Sequence, residues 1–97
     1  MKIVINTCYG GFGLSDAAKE RYLELTTNTP ARWVDIERDD KALVQVVEEL
    51  GELANGPYAK LAVIDVHAGQ WYRINEYDGN EEVLYRFYDK DWKLATD

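Results

Sequence analysis

The sequence predicts an α/β fold of the α+β type, a two-layer sandwich in which a mixed sheet carries two helices on one face. Three observations lead to this prediction. The β-branched run Ile3-Val4-Ile5 runs into a glycine-rich segment that ends at a helix-capping serine, Ser15. Apolar residues recur at helical spacing between residues 40 and 53. Two alternating segments flank the dipeptide Asp78-Gly79. The predicted order is β-α-β-α-β-β-β.

The first part of the chain is predicted to form strand, helix and strand. Residues 2–8 contain the β-branched run and make a buried strand. Ser15 is a favourable N-cap for a helix that ends near Leu25, and Asp16 in its first turn suits the helix dipole. Apolar and polar side chains alternate over residues 32–37, which predicts a short second strand.

The longest helix is predicted from about Asp40 to Leu53, with Asp39 as its N-cap. The segment Asn55-Gly56-Pro57 is a strong helix stop. The apolar stripe of this helix consists of Leu43, Val46, Val47, Leu50 and Leu53.

The remaining chain is predicted to be all strand. Residues 61–66 form a third strand, and residues 71–77 and 81–88 form a hairpin closed by the Asp-Gly turn. Tryptophan, tyrosine and arginine alternate on the sheet face away from the helices, so this face is a candidate dimer surface. The sequence therefore predicts a homo-oligomer.

Length and charge limit the function classes. The chain of 97 residues predicts a single domain, 1–97. Its formal net charge of −7 argues against binding to duplex nucleic acid or to an anionic membrane, because both need positive charge. A single cysteine excludes an internal disulfide, and neither a signal peptide nor a long apolar run is present. We therefore expect a cytoplasmic protein.

The segment Tyr9-Gly10-Gly11-Phe12-Gly13 is the strongest functional candidate. A strand that runs through a glycine turn into a helix can bind phosphate, because glycines expose backbone N–H groups beside the positive end of the helix dipole. The known fingerprints fail: no lysine completes a Walker loop, and Asp16 stands where a dinucleotide motif needs a third glycine. The alternative is a plain strand-to-helix turn with Phe12 packed in the core.

The other candidate residues extend this loop. Tyr9 could stack on a base or ring. Arg21 and Arg38 could bind an anion, although a solvated surface arginine is the commoner outcome. Cys8, at the end of the strand, is either an inert thiol or a nucleophile. The complete candidate ligand-binding set is Cys8, Tyr9, Gly10, Gly11, Phe12, Gly13, Ser15, Arg21 and Arg38.

No catalytic constellation can be recognised. The only histidine, His67, is far from Cys8 in sequence, and no Cys/His cluster with metal-ligand spacing exists. The acidic residues of the long helix have the spacing of a solvated polar face. The sequence therefore predicts neither enzymatic activity nor a metal or other cofactor.

The motif Cys-Tyr-Gly-Gly-Phe-Gly-Leu-Ser that follows the first strand resembles a family of small bacteriophage and prophage proteins. The resemblance continues through Arg21-Tyr22, residues 43–51, Ala54-Asn55-Gly56 and Glu76-Tyr77-Asp78-Gly79. Residues 65–69 depart from the family pattern, which has an acidic strand and an Ile-Pro turn there. The resemblance implies a phage origin and this fold, and it implies no activity.

These observations suggest three hypotheses. The first, by analogy with phage anti-defence proteins, is a sponge in the host cytosol that sequesters a phosphorylated nucleotide-like ligand, such as a cyclic nucleotide or a cyclic ADP-ribose derivative. The second is an interaction protein whose acidic and aromatic surface inhibits a host enzyme. The third is a small nucleotide-processing hydrolase that uses Cys8 or an acid.

Overall fold

A computed structural model describes residues 1–96 of the chain. It contains two α-helices, five strands and two short 3₁₀ turns, so the predicted α+β class is confirmed. The helices are α1 (Asp16–Leu25) and α2 (Lys41–Leu50), the 3₁₀ turns are Trp33–Asp35 and Gly51–Ala54, and the strands are β1 (Lys2–Asn6), β2 (Leu61–Asp65), β3 (Trp71–Tyr77), β4 (Asn80–Arg86) and β5 (Lys93–Leu94).

The strands form two antiparallel sheets, so the prediction of one mixed sheet is wrong. The first sheet pairs β1 with β2, with Val4 opposite Val63. The second sheet has the order β4-β3-β5. After β1 the chain passes through both helices and returns as β2, which pairs directly with β1 in the antiparallel direction.

The predicted second strand at residues 32–37 is wrong, because this segment contains the 3₁₀ turn Trp33–Asp35. A strand would place Val34 and Ile36 on one face, but Val34 is exposed and Ile36 is buried. The ring of Trp33 packs edge-on against Tyr22, with ring centroids 5.7 Å apart. The burial of Ile36 and the packing of Trp33, three positions before it, therefore favour a helical turn over a strand.

Two apolar clusters lie on opposite sides of the β1–β2 sheet. Val4 packs with α1 and α2 on one side, so the prediction of two helices on one face holds for this sheet. Ile3 and Ile5 pack on the other side against Tyr72 of β3. The molecule therefore stacks helices, a two-stranded sheet and a three-stranded sheet, and β1 is buried between the outer layers.

The helix ends are set by caps. Ser15 caps α1 as predicted, since its hydroxyl accepts a hydrogen bond from the N–H of Ala18 at 3.1 Å. The N-cap of α2 is Asp40 and not Asp39, because a carboxylate oxygen of Asp40 accepts from the N–H of Ala42. The helix ends at Leu50 and not at Leu53, because Gly51 follows with φ +57°.

The β3–β4 hairpin is confirmed. Its turn residues Asp78 and Gly79 have φ of +52° and +87°, the type I′ geometry that fits the twist of antiparallel strands. The fifth strand, β5, was not predicted, because its two residues are too few to show alternation. None of the helices within residues 1–96 is long and apolar enough to cross a membrane.

Candidate functional site: the glycine loop and its tyrosines

The glycine loop, residues 9–13, packs directly against the hairpin turn. The N–H of Gly10 donates to the carbonyl of Asp78 at 3.2 Å. A Cβ on Gly79 would lie 2.2 Å from the nitrogen of Gly11, and a Cβ on Gly10 would lie 2.9 Å from the Cβ of Tyr58. Three chain segments therefore meet at a distance that only glycine permits.

The end of the loop is fixed to the segment that follows α2. The N–H of Gly56 donates to the carbonyl of Gly13 at 3.0 Å, and a Cβ on Gly56 would lie 2.9 Å from the carbonyl carbon of Gly13. The N–H of Ser15 donates to the carbonyl of Ala54, and the Ser15 hydroxyl donates to the carbonyl of Leu53 at 2.6 Å. Ser15 therefore both caps α1 and anchors the loop.

Asn6, which is not among the predicted site residues, connects these segments from inside. Its side chain is fully buried and donates to the carbonyls of Cys8 and Gly79 at 2.8 and 2.6 Å. Its side-chain oxygen accepts from the N–H of Lys60 at 2.8 Å, and its own N–H donates to Glu81. A buried amide with its hydrogen bonds satisfied holds the junction in one arrangement.

Three tyrosines border this junction, and we call Tyr9, Tyr58 and Tyr77 the tyrosine face. Tyr9 directly precedes Gly10, the backbone of Tyr58 touches Gly10, and Tyr77 directly precedes the Asp78 that accepts from Gly10. Their exposed fractions are 62%, 75% and 75%. Of these three tyrosines, only Tyr9 is a site residue that the sequence predicts. The other two are brought to the loop by contacts between residues far apart in the chain.

Arg38 lies beneath the loop and is fully engaged. Its guanidinium stacks on the ring of Phe12, 3.7 Å from the ring centroid. It forms a bidentate ion pair with Glu81, at 3.0 and 3.3 Å, and the exposed side-chain fractions of the two residues are 13% and 8%. It also donates to the carbonyls of Val34 and Ile36. An anion at Arg38 would therefore compete with an existing carboxylate.

Arg21 lies about 9 Å along the axis of α1 from Ser15 and points to α2. It forms two hydrogen bonds to Glu49, at 2.8 and 3.2 Å. The hydrogen bond from Arg21, together with one from Gln45, lowers the pKa of Glu49 to about 2. The hydrogen bond to Glu49 in turn raises the pKa of Arg21. Arg21 therefore joins the two helices.

Cys8 and His67 lie at opposite ends of the β1–β2 sheet. The Cys8 thiol donates to the carbonyl of Tyr58 at 3.2 Å, beside the glycine loop. His67 follows Val66, which exchanges hydrogen bonds with Met1 at the start of the sheet. The strand rise places the two residues about 20 Å apart. The fold therefore assembles no thiol–imidazole pair from them.

Four backbone N–H groups of the loop remain open. No described residue accepts a hydrogen bond from the N–H of Tyr9, Gly11, Phe12 or Gly13. The first residues of α1 follow immediately, and Gly10 and Gly11 have φ of +116° and +107°. This part of the loop keeps the donors that an anion would need.

Residues 1–96 hold no group of three or more His, Cys, Asp or Glu side chains that could bind a metal ion. No protein-family model, curated protein or solved structure matches the chain. The resemblance to small phage proteins therefore stays a prediction, and the function has to be inferred from the geometry of the site.

Proposed function

We propose that this chain is a non-catalytic binding protein that attaches to a partner protein through the tyrosine face and inhibits that partner. The observation that carries the proposal is the clustering of three mostly exposed tyrosines around one rigid junction. Tyrosine supplies a large amphipathic contact area at a low entropic cost, and it is enriched among residues that dominate binding energy.

The rigidity of the junction favours such a role. The buried Asn6 network fixes the strand end, and the contact between Gly79 and Gly11 fixes the loop against the hairpin. Tyr9, Tyr58 and Tyr77 therefore start from backbone positions that need little ordering on binding. A preorganised face loses less entropy in a complex than a mobile one.

Charge favours a protein partner over a phosphorylated ligand. The chain carries a net charge of −7, and the acidic residues Glu76 and Asp78 lie in the hairpin beside the tyrosine face. Arg21 and Arg38, the arginines selected from the sequence, are both paired with glutamates. We therefore expect the partner to present a neutral or basic surface. The resemblance to phage proteins would place this interaction in the host cytosol.

The variant Tyr9→Ser/Tyr58→Ser/Tyr77→Ser is expected to lose partner binding while it stays folded. Each tyrosine is mostly exposed, so its removal costs little stability, whereas a central tyrosine in an interface contributes about 2 kcal/mol or more. The measurement is affinity capture from host lysate with quantification of stoichiometric proteins. Binding is then measured with the purified partner by calorimetry.

Tyr88→Ser is the matched control, because Tyr88 is 64% exposed on the segment after β4. It should bind the purified partner as the wild type does. Loss of binding in Tyr88→Ser but not in the triple variant would move the interface to the β3–β4 sheet, where the sequence predicts a contact between copies. Recovery of no stoichiometric partner by the wild-type protein would contradict the proposal.

A second candidate function is sequestration of a phosphorylated nucleotide-like ligand without chemistry. It is favoured by the open N–H groups of Phe12 and Gly13 beside the exposed ring of Tyr9. In this arrangement the N–H groups and the start of α1 would bind a phosphate, and Tyr9 would stack on the base.

Titration with a panel of cyclic dinucleotides and cyclic ADP-ribose isomers tests this second function. If it holds, calorimetry will show binding, the ligand will be recovered intact, and Gly11→Val will lose the heat signal. A Cβ on Gly11 meets no atom within 4 Å, so this variant perturbs the loop through its positive φ rather than through a clash. Absence of heat with every ligand in the panel would eliminate the sponge.

A further inference from the structure

A cavity of about 310 Å³ lies on another part of the molecule, between residues 35–39, β3 and residues 91–93. Its volume is at the lower end of the range for small-molecule sites. The apolar part of its wall comes from Ile36, Ile74 and the ring of Trp92. The cavity does not include the glycine loop or the tyrosine face.

Tyr72 contributes an unpartnered polar group to this cavity. The residue is only 2% exposed, and its hydroxyl has no hydrogen-bond partner among residues 1–96. Fully buried side-chain polar atoms without a partner are absent from the same residues. The hydroxyl therefore keeps some accessible area, and Tyr72 is one of the residues that line the cavity. Buried hydroxyls normally have partners, so an open one indicates a binding position.

The charges around Tyr72 favour a cation. Two of the charged wall residues are neutralised from outside the cavity, Asp35 by Arg32 and Arg38 by Glu81. The remaining charged residues of the wall are three carboxylates and two cations, which leaves an excess of one negative charge. These residues are Glu37, Asp39, Asp91, Arg73 and Lys93.

The structure already shows how this wall holds positive groups. The ammonium of Lys93 lies 2.9 Å from Glu37 and 3.9 Å from Asp39. Lys93 and Glu37 are 55% and 72% exposed, so their ion pair is weak and can be displaced. The guanidinium groups of Arg86 and Arg73 lie 4.6 and 5.6 Å from the centroid of the Trp92 ring, which is cation–π geometry.

We propose that this cavity binds an organic cation, a primary ammonium or guanidinium group, that displaces Lys93 from Glu37 and Asp39 and donates to the Tyr72 hydroxyl. The group belongs either to a free amine or to a basic side chain of a partner protein. This site is independent of the tyrosine face and of the function proposed for it.

Agmatine, which carries both an ammonium and a guanidinium group, is the first probe, and calorimetry at low salt is the measurement. Asp39→Asn should weaken agmatine binding about tenfold, and Tyr72→Phe should weaken it about threefold. Lys93→Met should tighten binding at least about threefold, because the internal competitor is removed. Glu20→Gln, an exposed acid on α1, is the matched control and should change nothing.

The indole N–H signals of the three tryptophans locate the ligand in two-dimensional NMR spectra. The signal of Trp92 should shift with agmatine, and those of Trp33 and Trp71 should not. The triple tyrosine variant should bind agmatine normally, which separates this test from that of the proposed function. A peptide with a single arginine in a neutral background that binds much more tightly than agmatine would identify a partner's side chain as the source.

Two results would overturn the proposal. The first is the absence of agmatine and peptide binding in both the wild type and Lys93→Met. The second is binding of adenosine monophosphate, used as the anionic probe, that shifts Trp92 and is weakened by Lys93→Met, because the cavity would then select negative charge.

Discussion

Gly79→Ala is expected to lower the free energy of unfolding by about 2–5 kcal/mol, a large effect for one methyl group. The new Cβ would lie 2.2 Å from the nitrogen and 2.6 Å from the Cα of Gly11. Both atoms belong to the backbone, so the loop or the hairpin turn has to move, and overpacking of this kind costs about 1–3 kcal/mol. The φ of +87° at Gly79 adds about 1–2 kcal/mol for a residue with a Cβ.

Gly69→Ala separates these two contributions. Gly69 has φ +90°, but a Cβ there meets no atom within 4 Å. We expect Gly69→Ala to lower the free energy of unfolding only by the cost of a positive φ for a residue with a Cβ, about 1–2 kcal/mol. Equilibrium unfolding in guanidinium chloride measures both variants. Equal losses would mean that the glycine loop and the hairpin turn do not pack closely in solution.

The Gly79→Ala variant also connects stability to function. A shift of the hairpin away from Gly11 would move Tyr77 away from Tyr9, because the two tyrosines are joined through the Gly10–Asp78 hydrogen bond. A Gly79→Ala protein that still folds should therefore bind its partner through the tyrosine face more weakly than Gly69→Ala does.

Local chemistry allowed part of the fold to be predicted from the sequence. The Asp78-Gly79 turn and the Ser15 cap depend on residues close in the chain, and both were correct. Residues 32–37 were assigned wrongly, because the alternation of Trp33, Val34 and Ile36 fits a strand until Trp33 packs against Tyr22. That contact is tertiary, and no local pattern reveals it.

At the candidate site, too, contacts between distant segments could not be predicted from local sequence patterns. The sequence located the glycine loop between β1 and α1, but the close contacts of the loop are with distant segments. A Cβ on Gly10 would meet Tyr58, and a Cβ on Gly79 would meet the backbone of Gly11, so these contacts join residues tens of positions apart. Arg38 was selected as an anion binder, and its pairing with Glu81 across 43 positions was not visible. Such pairs can be predicted only when the register between the strands is known, because the positions of the strands in the sequence do not show which residues meet.

Glu81→Ala is expected to cost about 3–5 kcal/mol of unfolding free energy, because it leaves the buried guanidinium of Arg38 without its counter-charge. It also removes the acceptor of the Asn6 N–H, a hydrogen bond of 2.8 Å inside the core. Arg38→Met is expected to cost a similar amount, since it leaves the carboxylate of Glu81 buried and loses the contact with the Phe12 ring.

The double variant Arg38→Met/Glu81→Ala should be much more stable than the sum of the two single losses predicts, because no unpaired charge stays buried. Urea unfolding of all four proteins gives the coupling energy, which we expect to exceed about 2 kcal/mol. The exposed pair Arg32–Asp35, at 74% and 48% exposure, is the matched control and should couple by less than about 1 kcal/mol. Equal coupling in the two pairs would mean that Arg38 is solvated and free to bind an anion, which would favour the sponge over the protein-binding function.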